Sequence, residues 1–194
     1  GGASSDPFIP VPIRQHFTDQ AFWTNSVKTD RYGNASFSFR LPDNLTQWRI
    51  RLRGSDGNQF LLDYQDSIFT QKELMVQLET PTFLVENDKS ILRAIVFNST
   101  HDSLAITIKC IPQKGVVLSS VKEIDTIIHA HSIISTECEI STLNVDNAII
   151  SLQVISDKFS DGEQRIIPVK RYAVPMYTGK SLIVQDSATV QLSI

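Results

Sequence analysis

The chain has 194 residues, 18 Lys and Arg against 21 Asp and Glu, and a formal net charge of −3. That balance excludes a nucleic-acid binder built on surplus cations, and 41% hydrophobic with 20% charged residues excludes disordered and collagen-like chains. No run approaches the ~18 apolar residues of a membrane helix, and two cysteines are too few for a disulfide-built scaffold, so the core must come from hydrophobic burial.

The opening Gly1-Gly2-Ala3-Ser4-Ser5-Asp6-Pro7 carries no basic region and no apolar signal core, and reads as an expression scar or a cut edge. Pro7, Pro10 and Pro12 favour extended backbone and deny donors, so residues 1–12 read as a tag or linker. From there the period is two. Phe37, Phe39 and Leu41 alternate with Ser36, Ser38 and Arg40, and Trp48, Ile50 and Leu52 alternate with Arg49, Arg51 and Arg53. The pattern predicts two strands joined by Pro42-Asp43-Asn44, with Trp23 and Trp48 as core anchors and Phe37, Phe39, Ile50 and Leu52 around them. Gly54-Ser55-Asp56-Gly57-Asn58 predicts a hairpin leading to a strand over Phe60–Tyr64.

Further strands are expected near Leu74–Leu78, Ser90–Asn98, Leu104–Ile111, Val116–Val121, Ile124–Ile128, Ile133–Ile140, Asn147–Ile155, Gln164–Arg171, Ser181–Gln185 and Ala188–Ile194. Helical spacing is sustained nowhere, and β-branched residues dominate the apolar set. An all-β sandwich follows, because short alternating strands bury their inner faces best sheet against sheet. The pattern divides the chain into 13–71, 72–157 and 158–194, of which only the middle piece has the ~7 strands of a whole sandwich. Lys158-Phe159-Ser160-Asp161-Gly162 marks the second boundary with a turn-forming Asp-Gly.

Candidate chemistry is sparse. His129 and His131 could offer a metal two nitrogens from one side of a strand, but no cluster completes the four ligands of a closed zinc site, and His16 and His101 stand alone. Gly54-Ser55-Asp56-Gly57 does not have the spacing of a nucleophile elbow and reads as a turn. Asp30, Asn34, Asp43 and Asn44 lack the spacing of a calcium loop, and turn formation accounts for all four. Arg49, Arg51 and Arg53 form a cationic stripe best read as a solvated strand face. Cys110 and Cys138 fall in the same piece, as a disulfide or as two buried thiols. Asn34, Asn44 and Asn98 begin N-glycosylation sequons, which matter only in a eukaryotic secreted protein. No catalytic, cofactor-binding or metal-binding residue is assigned, no cofactor is expected, and the chain does not read as an enzyme.

Three stretches together resemble a known family: Ile13-Arg14-Gln15-His16-Phe17-Thr18-Asp19-Gln20-Ala21-Phe22-Trp23, then Thr29-Asp30-x-x-Gly33-x-Ala35, then Phe39-x-Leu41-Pro42-Asp43-Asn44-Leu45-Thr46-x-Trp48-Arg49. They are similar to the alpha-2-macroglobulin family, in wording nearer its bacterial branch; vertebrate members usually have Pro-Glu-Thr-Trp where this chain has Asp19-Gln20-Ala21-Phe22-Trp23. Weaker similarity continues through Leu74–Leu78, Pro81–Asp88 and Leu92–Asn98. Ser160-Asp161-Gly162-x-x-Arg165-x-Ile167-Pro168-Val169 looks like the family's passage into a CUB domain.

The resemblance implies fibronectin-III/immunoglobulin-like antiparallel β-sandwich domains in tandem: the later part of one macroglobulin-like domain over 13–71, a complete one over 72–157, and the start of a CUB-like domain over 158–194. It implies a non-catalytic structural segment of a bacterial alpha-2-macroglobulin-like protein, whose parent is a protease-trapping endopeptidase inhibitor. The expected setting is periplasmic or extracellular, with any membrane anchor in the parent chain and no transmembrane segment here. The expected partners are the parent's other domains and, through the parent, target proteases; no nucleic acid is expected. The family's bait segment and Cys-x-Glu-Gln thioester have no counterpart, since Cys138-Glu139-Ile140 lacks the Gln. The alternative is an adhesion or partner-binding β-sandwich module of a cell-surface protein.

Overall fold

From residue 74 onward apolar residues recur at every second position, and the chain answers with strands whose inner faces close on one another. The structure, a computed structural model, describes residues 11–55, 61–119 and 123–172; among these there are twelve strands and no helix. In chain order they are β1 (Ile13–Arg14), β2 (Gln47–Ser55), β3 (Leu61–Phe69), β4 (Leu74–Glu79), β5 (Leu84–Val85), β6 (Lys89–Asn98), β7 (Leu104–Lys114), β8 (Val116–Leu118), β9 (Glu123–Ile128), β10 (Ile133–Thr142), β11 (Asn147–Ile155) and β12 (Ser160–Lys170).

One antiparallel sheet runs β4-β6-β10-β8, and the facing sheet runs β1-β12-β11-β7-β9. Val76, Leu92, Ala94, Val96 and Ile140 of the first meet Ile106, Ile108, Ile150, Leu152 and Val154 of the second in a single core. Each such side chain contributes about 1.5–3 kcal/mol when removed from water. Pro112 is accommodated inside β7 where the pairing with β11 shifts register between Ile149 and Ile150. Gly115, at φ 71°, turns the chain from β7 in one sheet to β8 in the other.

The outer edge of β12 is covered at both ends by short parallel strands, β1 (Ile13↔Gly162, Arg14↔Glu163) and β5 (Val169↔Leu84, Lys170↔Val85). Such cover removes unpaired backbone groups that would recruit another chain. Gly162 lets β1 approach, because a Cβ there would meet the side chains of Ile13 and Val11.

The all-β sandwich expected from the sequence is present, but three details differ. First, β12 pairs with β11 from Ser160↔Ile155 to Pro168↔Asn147 across a hairpin tied by Ser156, whose Oγ accepts the Phe159 amide at 2.9 Å. Residues 160–170 thus lie in the sandwich that the sequence reading ends at 157: Asp161-Gly162, read as a turn, holds a buried carboxylate and the close approach of β1.

Second, Phe37–Leu41 forms no strand. Third, Trp23 is 70% exposed, and Phe37, Phe39 and Leu52 are also exposed, leaving Trp48 alone buried among the expected anchors, with Ile50 half-buried. The physical reason is that β2 and β3 form an isolated two-stranded ribbon, from Gln47↔Phe69 to Ser55↔Leu61, with no second sheet against it among the described residues. The aromatics pack on each other instead: Phe22 stacks on Phe37 and Phe39, with ring centroids 5.6 and 5.1 Å away. The ribbon's turn and the strands expected over Ser181–Gln185 and Ala188–Ile194 lie outside the described residues.

Candidate functional site

Asp161 and Glu163 are two residues apart on β12, so both point the same way, and that way is inward. They are 0% and 1% exposed, a cost that only paired charges and hydrogen bonds offset. Arg14 of β1 supplies the main partner. Its Nε and Nη2 donate to the two Asp161 oxygens at 3.1 and 2.9 Å, a forked arrangement, and Nη2 also reaches Glu163 at 3.3 Å and donates to the Val76 carbonyl. Lys72, on the approach to β4, lies 2.5 Å from Asp161, and Arg165 lies 2.5 Å from Glu163. The Val76 and Leu78 amides of β4 complete the carboxylates at 3.0 and 3.4 Å. Three cations thus surround two anions, drawn from β1, the β3–β4 connection and β12, with β4 contributing backbone groups.

The cluster reaches further toward the N-terminal segment. Arg14 Nη1 donates to the Asp43 carbonyl at 3.4 Å, and the Phe17 ring lies under the Arg165 guanidinium at 3.9 Å. The Asp43 carboxylate accepts the Gln15 and His16 amides, both at 2.9 Å, and Asn44 accepts the Thr18 amide at 3.1 Å. Those amides, His16 first and Gln15 next, hold the Asp43 carboxyl below its ordinary range. Thr70 closes the open end of the ribbon, opposite its turn, by donating from Oγ1 to the Asn44 carbonyl at 2.9 Å. The exposed aromatic stack, the ribbon and the sandwich are therefore joined through Arg14, Asp43 and their partners. Beside this joint, Phe22, Trp23, Phe37, Phe39, Trp48 and Ile50 line an open cleft. The Trp48 indole N–H is buried with no hydrogen-bond partner.

Most of the residues singled out by sequence fall elsewhere. His131 stands at φ 51° and shares a 2.9 Å hydrogen bond with His101, whereas His129 meets Ser103 at 3.3 Å, so His129 and His131 do not converge. Among the described residues no group of three or more His, Cys, Asp or Glu could hold a metal. Asp30 does make the expected turn, accepting the Tyr32 and Asn34 amides at 2.8 and 2.9 Å, which lower its pKa. Asp43 and Asn44 do not; they clamp residues 28 and 26 positions away.

Arg51 and Arg53 pair with Asp63 across the ribbon at 2.9 and 3.4 Å on a solvated face. Asn98 is buried, with its side-chain amide donating to the Asp102 and His129 carbonyls at 2.8 and 2.9 Å, so it is closed to glycosylation. Cys110 and Cys138 are free and buried. The sequence reading missed Arg14, Lys72, Asp161 and Glu163 as a unit. Its available signal was an Asp-x-Glu pair at strand spacing with no polar alternation to explain it.

Comparison with known proteins gives this joint its context. The family model described as "Alpha-2-macroglobulin family" matches residues 20–110, from the aromatic segment through most of β7. Similarity to alpha-2-macroglobulin of Thermotoga maritima extends over 93% of this chain at 21% identity, covering 12% of that protein. Over this stretch the chain is similar to the alpha-2-macroglobulin family. An alpha-2-macroglobulin homolog from Nostoc is 31% identical over 53% of this chain and 5% of its own length. The chain therefore spans about an eighth or less of these relatives. The crystal structure of trypsin-activated alpha-2-macroglobulin from Escherichia coli superposes with a TM-score of 0.65 at 13% identity, over 73% of this chain and 10% of that one. At that identity the likeness speaks for the fold, an immunoglobulin-like macroglobulin sandwich.

Proposed function

We propose that this chain is a non-catalytic structural segment of a bacterial alpha-2-macroglobulin-like protein, and that its task is to transmit movement between neighbouring domains of a protease-trapping inhibitor in the periplasm or outside the cell. The observation that carries the reading is the buried ion cluster, in which one arginine from the N-terminal segment anchors to two carboxylates of the sandwich. Such a joint makes two pieces move as one body, since each loses its counter-charges if they part. The match of residues 20–110 to the family model and the likeness in fold to a trypsin-activated alpha-2-macroglobulin support the trapping role of the parent. In domain terms, we propose that β4–β12 make one macroglobulin-like domain, that residues 13–71 belong to the domain before it and lend β1 to the edge of the sandwich, and that any CUB-like start lies beyond Lys170.

The test is a protease challenge of the full-length protein. The expected result is that a trapped protease loses activity on large protein substrates while still cleaving a small peptide substrate. The substitution Arg14→Met is expected to leave cleavage of the inhibitor intact but to weaken trapping. Cleavage with no loss of activity on large substrates would overturn the trapping role; full trapping by Arg14→Met would overturn the role of the joint.

A further inference from the structure

The two cysteines of the chain belong to opposite sheets of the sandwich, and both point into its core: Cys110 on β7 is 4% exposed and Cys138 on β10 is 3% exposed. Their depths match. Gly115 carries the chain from β7 to β8, and β8 pairs with β10 beginning at Val116↔Thr142. Cys110 lies four residues before Lys114 at the end of β7, and Cys138 lies four residues before Thr142 at the end of β10. Counted back from the same crossover, the two side chains therefore meet across the core. Their strand partners, Leu152 for Cys110 and Leu92 for Cys138, are apolar. The neighbouring Cys138 thiol and burial push the Cys110 thiol up, so it is held protonated.

We propose that Cys110 and Cys138 form an inter-sheet disulfide site, closed by thiol–disulfide exchange when the chain folds or opens in the presence of an oxidised small thiol or a disulfide oxidoreductase. One cysteine, as thiolate, attacks the external disulfide and releases one external thiol, leaving a mixed disulfide. The second attacks the chain's sulfur of that mixed disulfide and expels the other external thiol. The chain loses two protons and two electrons, and the oxidant's S–S bond becomes two thiols. With only two cysteines there is a single intramolecular pairing. The bond would tie β7 to β10 directly across the core.

The folded, reduced chain is incubated with oxidised glutathione in denaturant just below its unfolding midpoint, where each molecule opens and recloses repeatedly. Both thiols should disappear together, with a loss of about two mass units, no retained glutathione and a linked peptide pair containing Cys110 and Cys138. The oxidised form should melt about 10 °C higher, and added reductant should reverse the gain. In Cys138→Ala the oxidant should give no gain in melting temperature and no loss of two mass units, because the remaining thiol can go no further than a mixed disulfide. Two free thiols after this treatment, glutathione retained on the wild-type chain, or chains linked to one another would overturn the proposal.

Discussion

Asp43 shows how one side chain can be read correctly for its type and wrongly for its partners. An Asp after Pro42 is ordinary turn chemistry, yet its carboxylate bonds to amides 28 and 27 residues away and so fixes where the N-terminal segment crosses the ribbon. Those two amides stabilise the ionised form and lower the pKa from an ordinary value of 3.8. A depressed folded pKa means that the unfolded chain takes up the proton first, so the stabilisation is complete above the unfolded value and is lost as pH falls through the folded one. Acidification from pH 5 toward pH 2 should therefore loosen the crossing. The measurement is amide exchange at Gln15 and His16, which should accelerate over that window relative to other amides. Asp43→Asn keeps an acceptor but loses the charge, and should flatten the response. Equal pH dependence in both proteins would count against the carboxylate.

At the level of elements, Gly115 is where geometry constrains the sequence most tightly. The chain crosses between sheets there at φ 71°, a conformation costly for any residue with a Cβ. An added methyl would touch the Val145 side chain and stand 3.1 Å from the Asn147 carbonyl oxygen and 3.3 Å from the Ala148 Cα, backbone atoms that cannot easily give way. Gly115→Ala should destabilise the sandwich by about 1–3 kcal/mol from the backbone term alone, read as a lower denaturation midpoint with an unchanged slope. An unchanged midpoint would mean that the crossover relaxes freely.

The strands flanking this turn were legible because burial in a sheet imposes period two, and Ile106, Ile108 and Cys110 or Leu92, Ala94 and Val96 state that period directly. The joint was not legible in the same way. Arg14 finds its partners 147 and 149 residues later, and no local periodicity encodes a contact of that span. Asp161-Gly162 carried a turn signal that tertiary pairing overrode. Trp23 and Phe37 were read as core because large aromatics usually are; a ribbon without a facing sheet leaves them outside.

For the whole molecule, the distribution of the tryptophans makes the coupling measurable. Trp23 and Trp48 are the only two, and both lie on the N-terminal side of the joint, whereas most strands lie in the sandwich. Tryptophan fluorescence therefore follows the ribbon and its aromatic neighbours, and far-ultraviolet circular dichroism follows mainly the sandwich. The ribbon is two-stranded and marginal by itself, so its order depends on what Arg14 and Asp43 tie it to. By linkage, whatever free energy the joint gives the ribbon it also gives the sandwich. In the wild-type chain the two signals should report one transition, as a cooperative unit requires. Arg14→Met removes the only cation that contacts both buried carboxylates among the described residues. Breaking a buried pair from one side costs about 3–5 kcal/mol, and Lys72 and Arg165 each still serve one carboxylate, which places the expected loss toward the lower end. The variant should unfold in two steps, with fluorescence changing at lower denaturant than circular dichroism, and the second midpoint should fall below that of the wild type. A single transition at the original midpoint would mean that ribbon and sandwich hold together without the arginine, and that the path of any transmitted movement lies through other contacts.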